Sequence, residues 1–318
     1  MSTPYHLLTR DDPRHRAWQL PVAGAMTLGA FVVVATLAGA GPLDPVDRPG
    51  ALAVDLGTIA LAAPLLLGAL WLTGSPALRL LWSVEGRVRW GWWGRCCAIT
   101  FGAVTLALVL ASALPGSGVG REVQVPTMTA WFGVVVALVL VPGRAIAEEL
   151  VFRGYLPQLI GTVVPVAWIG VAASTCFFAA VQGGGTWGLV QGVLLGLTAG
   201  VLTQRTGGLE AAVALNVAHH VMRLGLEAGG AMDPSQLRAD LGATSVLPTL
   251  VSVLLVGVLV EWQVRATGLV TRRIEADGTG VRSAELEAAP HPDQARPPAR
   301  VRPRSPAYPG DISDDWGR

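Results

Sequence analysis

Between Arg144 and Arg153 the chain reads Arg-Ala-Ile-Ala-Glu-Glu-Leu-Val-Phe-Arg, two adjacent carboxylates in an otherwise apolar stretch. Glu149 and Arg153 are four residues apart and share a face of a helix, whereas Glu148 is turned away by about 100°. This spacing predicts one glutamate held by arginine and a neighbour left free. A free, desolvated carboxylate can take a proton from water, which is the chemistry of carboxylate-assisted hydrolysis. The same residues would also serve as a buried ion pair that only locks helices together, and the spacing leaves both readings open. Further along, Phe178 and Gln182 are one turn apart, and LEAAVALNVAHHVMR sets Asn216 and His220 at i and i+4, with His219 beside them. Buried polar groups in lipid need partners, so His220 is grouped with the Glu/Glu/Arg segment into one polar site.

Such a site needs a membrane around it, and the composition supplies one. The 318 residues are 52% apolar and 14% charged, with a mean hydropathy of +0.51, against about 25% charged in a soluble domain. The net charge is +1 and every cation is Arg, so no basic excess argues for nucleic acid. An apolar run of roughly 20 residues spans a bilayer as a helix. Eight stretches qualify or nearly so: 18–40, 53–74, 96–114, 129–143, 163–181, 187–203, 208–226 and 246–264. The expected fold is therefore all-α, a polytopic transmembrane bundle of about eight helices. The first span is expected to be retained rather than cleaved, because the residues before it are polar and the apolar run is too long for a signal segment.

Arginines flank alternate ends of these spans. Arg10, Arg14 and Arg16 precede the first; Arg79, Arg87, Arg89 and Arg95 follow the second; Arg144 and Arg153 follow the fourth; Arg205 follows the sixth, and Arg265, Arg272 and Arg273 follow the last. This places both termini in the cytoplasm of a multi-pass plasma-membrane protein. Trp71, Trp82, Trp90, Trp92 and Trp93 are read as an aromatic belt on that side. Asp55 is expected near a span end, facing headgroups or capping the helix. Cys96, Cys97 and Cys176 lack metal-site or disulfide spacing and are read as small core residues. The expected organisation is a cytoplasmic segment 1–17, three accessory helices within 18–114, a core over 125–228, a final helix 246–264 and a disordered Pro/Arg-rich tail 276–318.

The pattern over 125–228 resembles the CAAX prenyl protease 2 and bacteriocin-processing family of intramembrane endopeptidases. Its first motif, Glu-Glu-x-x-x-Arg, stands as Glu148, Glu149 and Arg153, followed by Gly154 and Tyr155. Its second, Phe-x-x-x-His, stands as Phe178 with Gln182 in the histidine position. Its third, His-x-x-x-Asn, is inverted here as Asn216 and His220. The resemblance implies hydrolysis of a membrane-associated peptide or protein in the bilayer. Glu148 would be the base, Glu149, Arg153 and His220 would join it as catalytic residues, and Phe178, Gln182 and Asn216 would position substrate or oxyanion. A divalent metal is a family possibility that Gln182 and Asn216 weaken, since amides are poor ligands for transition metals, and no metal-ligand set is assigned. A catalytically silent relative that binds a membrane partner, and a transporter relaying protons through Glu148, Glu149 and His220, are the alternatives.

Overall fold

The computed structural model describes residues 2–39, 49–113, 128–182, 185–228 and 246–274. Chain contacts divide the protein into Met1–Glu275 and Ala276–Arg318, and every described residue belongs to the first unit. The expected disordered tail, and residues 125–127 of the expected core, lie outside the described residues.

The helices are α1 Gln19–Ala38, α2 Pro49–Ala60, α3 Ala62–Leu72, α4 Ala77–Leu80 and α5 Trp90–Ser112. They continue with α6 Met128–Glu149, a π-helical stretch Leu150–Tyr155, α7 Leu156–Val163, α8 Ala167–Gln182, α9 Gly185–Thr206, α10 Glu210–Ala228 and α11 Val246–Thr267. Across the one-residue break between α2 and α3 the hydrogen-bond ladder continues through Leu61 N–H to the Gly57 carbonyl and Leu65 N–H to the Leu61 carbonyl. The two therefore act as one apolar rod, Pro49–Leu72.

The protein is an all-α membrane helical protein. Five helical runs among the described residues are long and apolar enough to cross a bilayer: Gln19–Ala38, Pro49–Leu72, Trp90–Ser112, Gly185–Thr206 and Val246–Thr267. The expected count of eight is not established by that measure: α8 has 16 residues, and α6 and α10 are not among the five. Large apolar residues point outward, including Leu28, Val32 and Leu37 on α1, Phe132 and Val139 on α6, and Leu254 and Val258 on α11. In water this exposure would be a liability; against lipid tails it costs nothing.

Inside, Leu52 and Leu56 of α2 meet Ala137 and Val141 of α6 and Leu224 of α10. Ala211, Ala212, Ala214 and Leu215 of α10 pack with Cys96 and Ala103 of α5 and Val256 and Val260 of α11. Small residues let backbones approach: Gly192 and Gly200 of α9 lie against Ala179 and Val171 of α8, where an added Cβ would sit 3.0 and 2.9 Å from the nearest atoms. This puts α6 and α10 side by side, with the expected polar residues on their shared seam.

Several expectations are corrected. The N-terminal segment is polar but docked: Tyr5 donates to the Leu81 carbonyl, Thr9 to Gln158, and Ser2–Thr3 pairs antiparallel with Arg273–Ile274. Asp55 is buried within α2 rather than facing headgroups. Cys96 is buried, but Cys176 faces outward from α8, because its neighbours Ser174, Thr175 and Phe178 take the inward face. Trp71 and Trp90 are exposed as a belt requires, whereas Trp92 is buried against α10 and α11.

Arg89, Arg144 and Arg153, counted as flanking charges, are all buried in ion pairs with glutamates. A positive residue near a span end can be claimed by an internal carboxylate, which costs less than leaving that carboxylate alone in lipid.

Candidate active site

The last two turns of α6 and the π-helical stretch carry Arg144, Glu148, Glu149 and Arg153, and α10 presents Asn216 and His220 to them. Pro142, inside α6, offers no N–H to the preceding turn, which loosens the helix just before Arg144. A π-helical turn then begins at Leu150. Its wider winding needs more than four residues per turn, so Arg153 falls close to the line through Glu149 along the helix.

Arg153 NH1 donates to Glu149 Oε1 at 3.0 Å, as the i, i+4 spacing requires. Its guanidinium carbon lies 4.0 Å from the centre of the Phe178 ring. Phe178 in turn meets Phe152 edge-on, with centroids 5.7 Å apart. Phe178 thus grips the cation beside its bond to Glu149, and a desolvated cation over a ring is held by roughly 2 kcal/mol. A Cβ on Gly196 would lie 3.1 Å from Thr175, 3.3 Å from Phe178 and 3.4 Å from Arg153 NH2, so glycine keeps room for this stack.

Glu148 is not free, which corrects the sequence expectation. Arg144 Nε donates to its Oε1 at 2.9 Å, and Asn216 Nδ2 donates to its Oε2 at 2.9 Å. Arg144 was not among the expected site residues, although its signal is plain: Arg144 and Glu148 are i and i+4, the mirror of Glu149 and Arg153. The four residues form two arginine–glutamate pairs in opposite order along one helix, and their charges sum to zero.

Asn216 joins the two pairs. Its Nδ2 also donates to Glu149 Oε1 at 2.9 Å. The nitrogen must face the carboxylates, since ionised carboxylates only accept. With one N–H on each glutamate its donors are fully used. An oxyanion would have to compete with the two carboxylates for these N–H groups. Gln182, at the end of α8, is half-buried and has no hydrogen bond to the cluster among the described residues. His220 Nε2 lies 3.7 Å from Glu148 Oε2, too far for a direct hydrogen bond but near enough for one water to touch both. His219 turns elsewhere: its Nδ1 meets the Leu215 carbonyl at 3.1 Å and its Nε2 meets Ser252 Oγ of α11 at 3.0 Å.

Residues 127–222 match the family profile described as type II CAAX prenyl endopeptidase Rce1-like. Over that stretch the chain is similar to the family. The matched stretch holds every member of the cluster, from Arg144 to His220. No curated protein and no solved structure matches the chain.

The fit of a divalent metal, which the resemblance raised as a possibility, can be judged from the donor set. Both oxygens of Glu148 and Oε1 of Glu149 already accept from Arg144, Arg153 and Asn216. Among the described residues no three His, Cys, Asp or Glu side chains come together as ligands. Two guanidinium groups stand where a second cation would be repelled. These residues do not fit a metal centre, and no step is derived through one.

Proposed function

We propose that the protein is an intramembrane endopeptidase that hydrolyses a membrane-associated peptide or protein, with Glu148 as the base. The observation that carries this reading is the convergence of Glu148, Glu149, Asn216 and His220 at one buried point between α6 and α10. Glu148 Oε2 and His220 Nε2 share a water. Glu148 takes its proton as the hydroxide oxygen adds to the peptide carbonyl carbon, and His220 donates to the developing oxyanion. When the C–N bond breaks, the proton on Glu148 passes to the leaving amine. Glu149, Arg153 and Phe178 hold the base's surroundings rigid, and Gln182 offers its amide to the substrate. The protein resides in the plasma membrane, with both termini cytoplasmic.

A second reading, a catalytically silent relative that binds a membrane partner, is favoured by two observations: Gln182 stands apart from the cluster, and Asn216 has no N–H left for an oxyanion. The test presents fluorogenic membrane-associated peptides to the full-length protein in nanodiscs. Wild type, Glu148→Gln, and the triple variant Gln182→His, Asn216→His, His220→Asn are compared. Cleavage by wild type and not by Glu148→Gln supports the peptidase. Cleavage by the triple variant alone assigns the native chain to the scaffold.

A further inference from the structure

We propose that Arg144 is a positioning residue for the base: its guanidinium fixes Glu148 through Oε1 and leaves Oε2 turned to Asn216, His220 and the substrate. The proposal rests on the reading of Glu148 as the base and adds a residue outside the Glu-Glu-x-x-x-Arg motif.

The argument starts from a contrast between two buried ion pairs in the same molecule. Arg89 and Glu210 form a complete structural pair. Arg89 Nε and NH2 bind the two oxygens of Glu210 at 2.9 and 2.8 Å, and its backbone N–H adds a third contact at 3.0 Å. Arg89 NH1 is used on the carbonyls of Thr206 and Val270. This fork-on-fork geometry repays the desolvation of both ions.

Arg144 and Glu148 are buried to a similar degree, at 3% and 7% exposure, yet a single N–H joins them. Arg144 NH1 is buried without a protein partner. As a device for stability this is poor, because a buried pair so thinly bonded is readily outdone by apolar side chains of the same volume. As a device for holding a base it is well made. One carboxylate oxygen is pinned and the cation keeps the group ionised in an apolar setting. The other oxygen accepts from Asn216 and retains a lone pair for water.

Orientation is fixed as well as charge. Arg144 lies one turn before Glu148 on α6 and cannot rotate away without breaking its burial. Asn216 approaches from α10. The carboxylate is thus held between two helices at opposite oxygens, as a general base must be to lie within hydrogen-bond reach of its proton.

The test uses the full chain in nanodiscs with Arg144→Gln, Arg144→Lys and the double variant Arg144→Gln/Glu148→Gln. Two readouts are taken: kcat and KM for a cleaved peptide, and infrared spectra of the carboxyl region. For Arg144→Gln, kcat falls by about 10- to 100-fold, the range set by one charge-assisted hydrogen bond, while KM is unchanged. A carboxylic-acid band also appears that is absent from wild type and from the double variant. Arg144→Lys keeps the charge but cannot reproduce the directed Nε–H contact to Oε1, so it restores part of kcat and shows no acid band. It also carries the test if Arg144→Gln does not fold: a lysine variant with wild-type kcat overturns the positioning role. Equal kcat in Arg144→Gln and wild type overturns it too. If no variant cleaves, wild type included, but the acid band appears in Arg144→Gln, the peptidase reading fails and the counter-ion role of Arg144 stands. Absence of both cleavage and band overturns both.

Discussion

Replacing Asn216 by leucine removes two N–H groups that each serve an ionised carboxylate at 2.9 Å and sets a larger, branched apolar side chain in their place. Two charge-assisted hydrogen bonds at about 1.5–3 kcal/mol each sum to about 3–6 kcal/mol. Interhelical hydrogen bonds in membrane proteins average only about 0.6 kcal/mol, because separated helices find other partners, and two at that value sum to about 1 kcal/mol. The acceptors here are buried carboxylates lying close to each other, so losing the shared donor also exposes their mutual repulsion. The expected loss is therefore about 3 kcal/mol, the lower end of the charge-assisted sum. Asn216→Asp separates this account from a packing account. Aspartate matches asparagine in shape but sets a third carboxylate against two, so it should destabilise more than leucine does. If asparagine only filled space, aspartate would be the milder change. The assay is reversible unfolding in mixed micelles, followed by fluorescence of the 11 tryptophans. A leucine variant that loses less than about 1 kcal/mol, or an aspartate variant as stable as the leucine one, would refute the reasoning.

Arg153→Lys should also be costly despite keeping its charge. Lysine cannot both reach Glu149 and lie flat over Phe178, so about 1–2 kcal/mol of stability should be lost. Phe178→Leu should lose a similar amount in wild type and almost nothing in the lysine background, read from the same unfolding experiment as a double-mutant cycle. Arg89→Ala should cost about 3–5 kcal/mol by stranding Glu210, and Arg89→Ala/Glu210→Ala should recover part of it, as measured by thermal inactivation in detergent.

The membrane class and the meeting of the polar side chains of α6 and α10 were legible because both rest on strong signals. Lipid admits only backbone that satisfies itself, so apolar runs mark helices. Within them, charged or imidazole side chains stand out. Glu149 with Arg153, and Asn216 with His220, followed directly from helical spacing. The state of Glu148 did not, since Arg144 carried two meanings. Near the end of an apolar run it reads as a topological charge, whereas its distance of four residues from Glu148 reads as a partner. Only the depth of the side chain separates these, and depth depends on how α2 and α10 cover α6. Arg89 was misread for the same reason, its partner Glu210 lying 121 positions away.

The same ambiguity bears on the exchanged third motif. From spacing alone, swapping histidine and asparagine moves the imidazole by about one turn, roughly 5–6 Å, far more than a hydrogen bond tolerates. In the folded protein the swap has a different consequence. Asparagine at position 216 can bridge two carboxylates with its two N–H groups, which a neutral imidazole with a single N–H cannot do. Histidine at position 220 stays 3.7 Å from Glu148. The amide has taken the structural task, and in the proposed function the imidazole takes the reactive place. Restoring the family order at these two positions should therefore weaken the hold on both glutamates, and any activity gained from a histidine at 216 would come at the expense of stability unless Arg144 and Arg153 keep the two carboxylates apart.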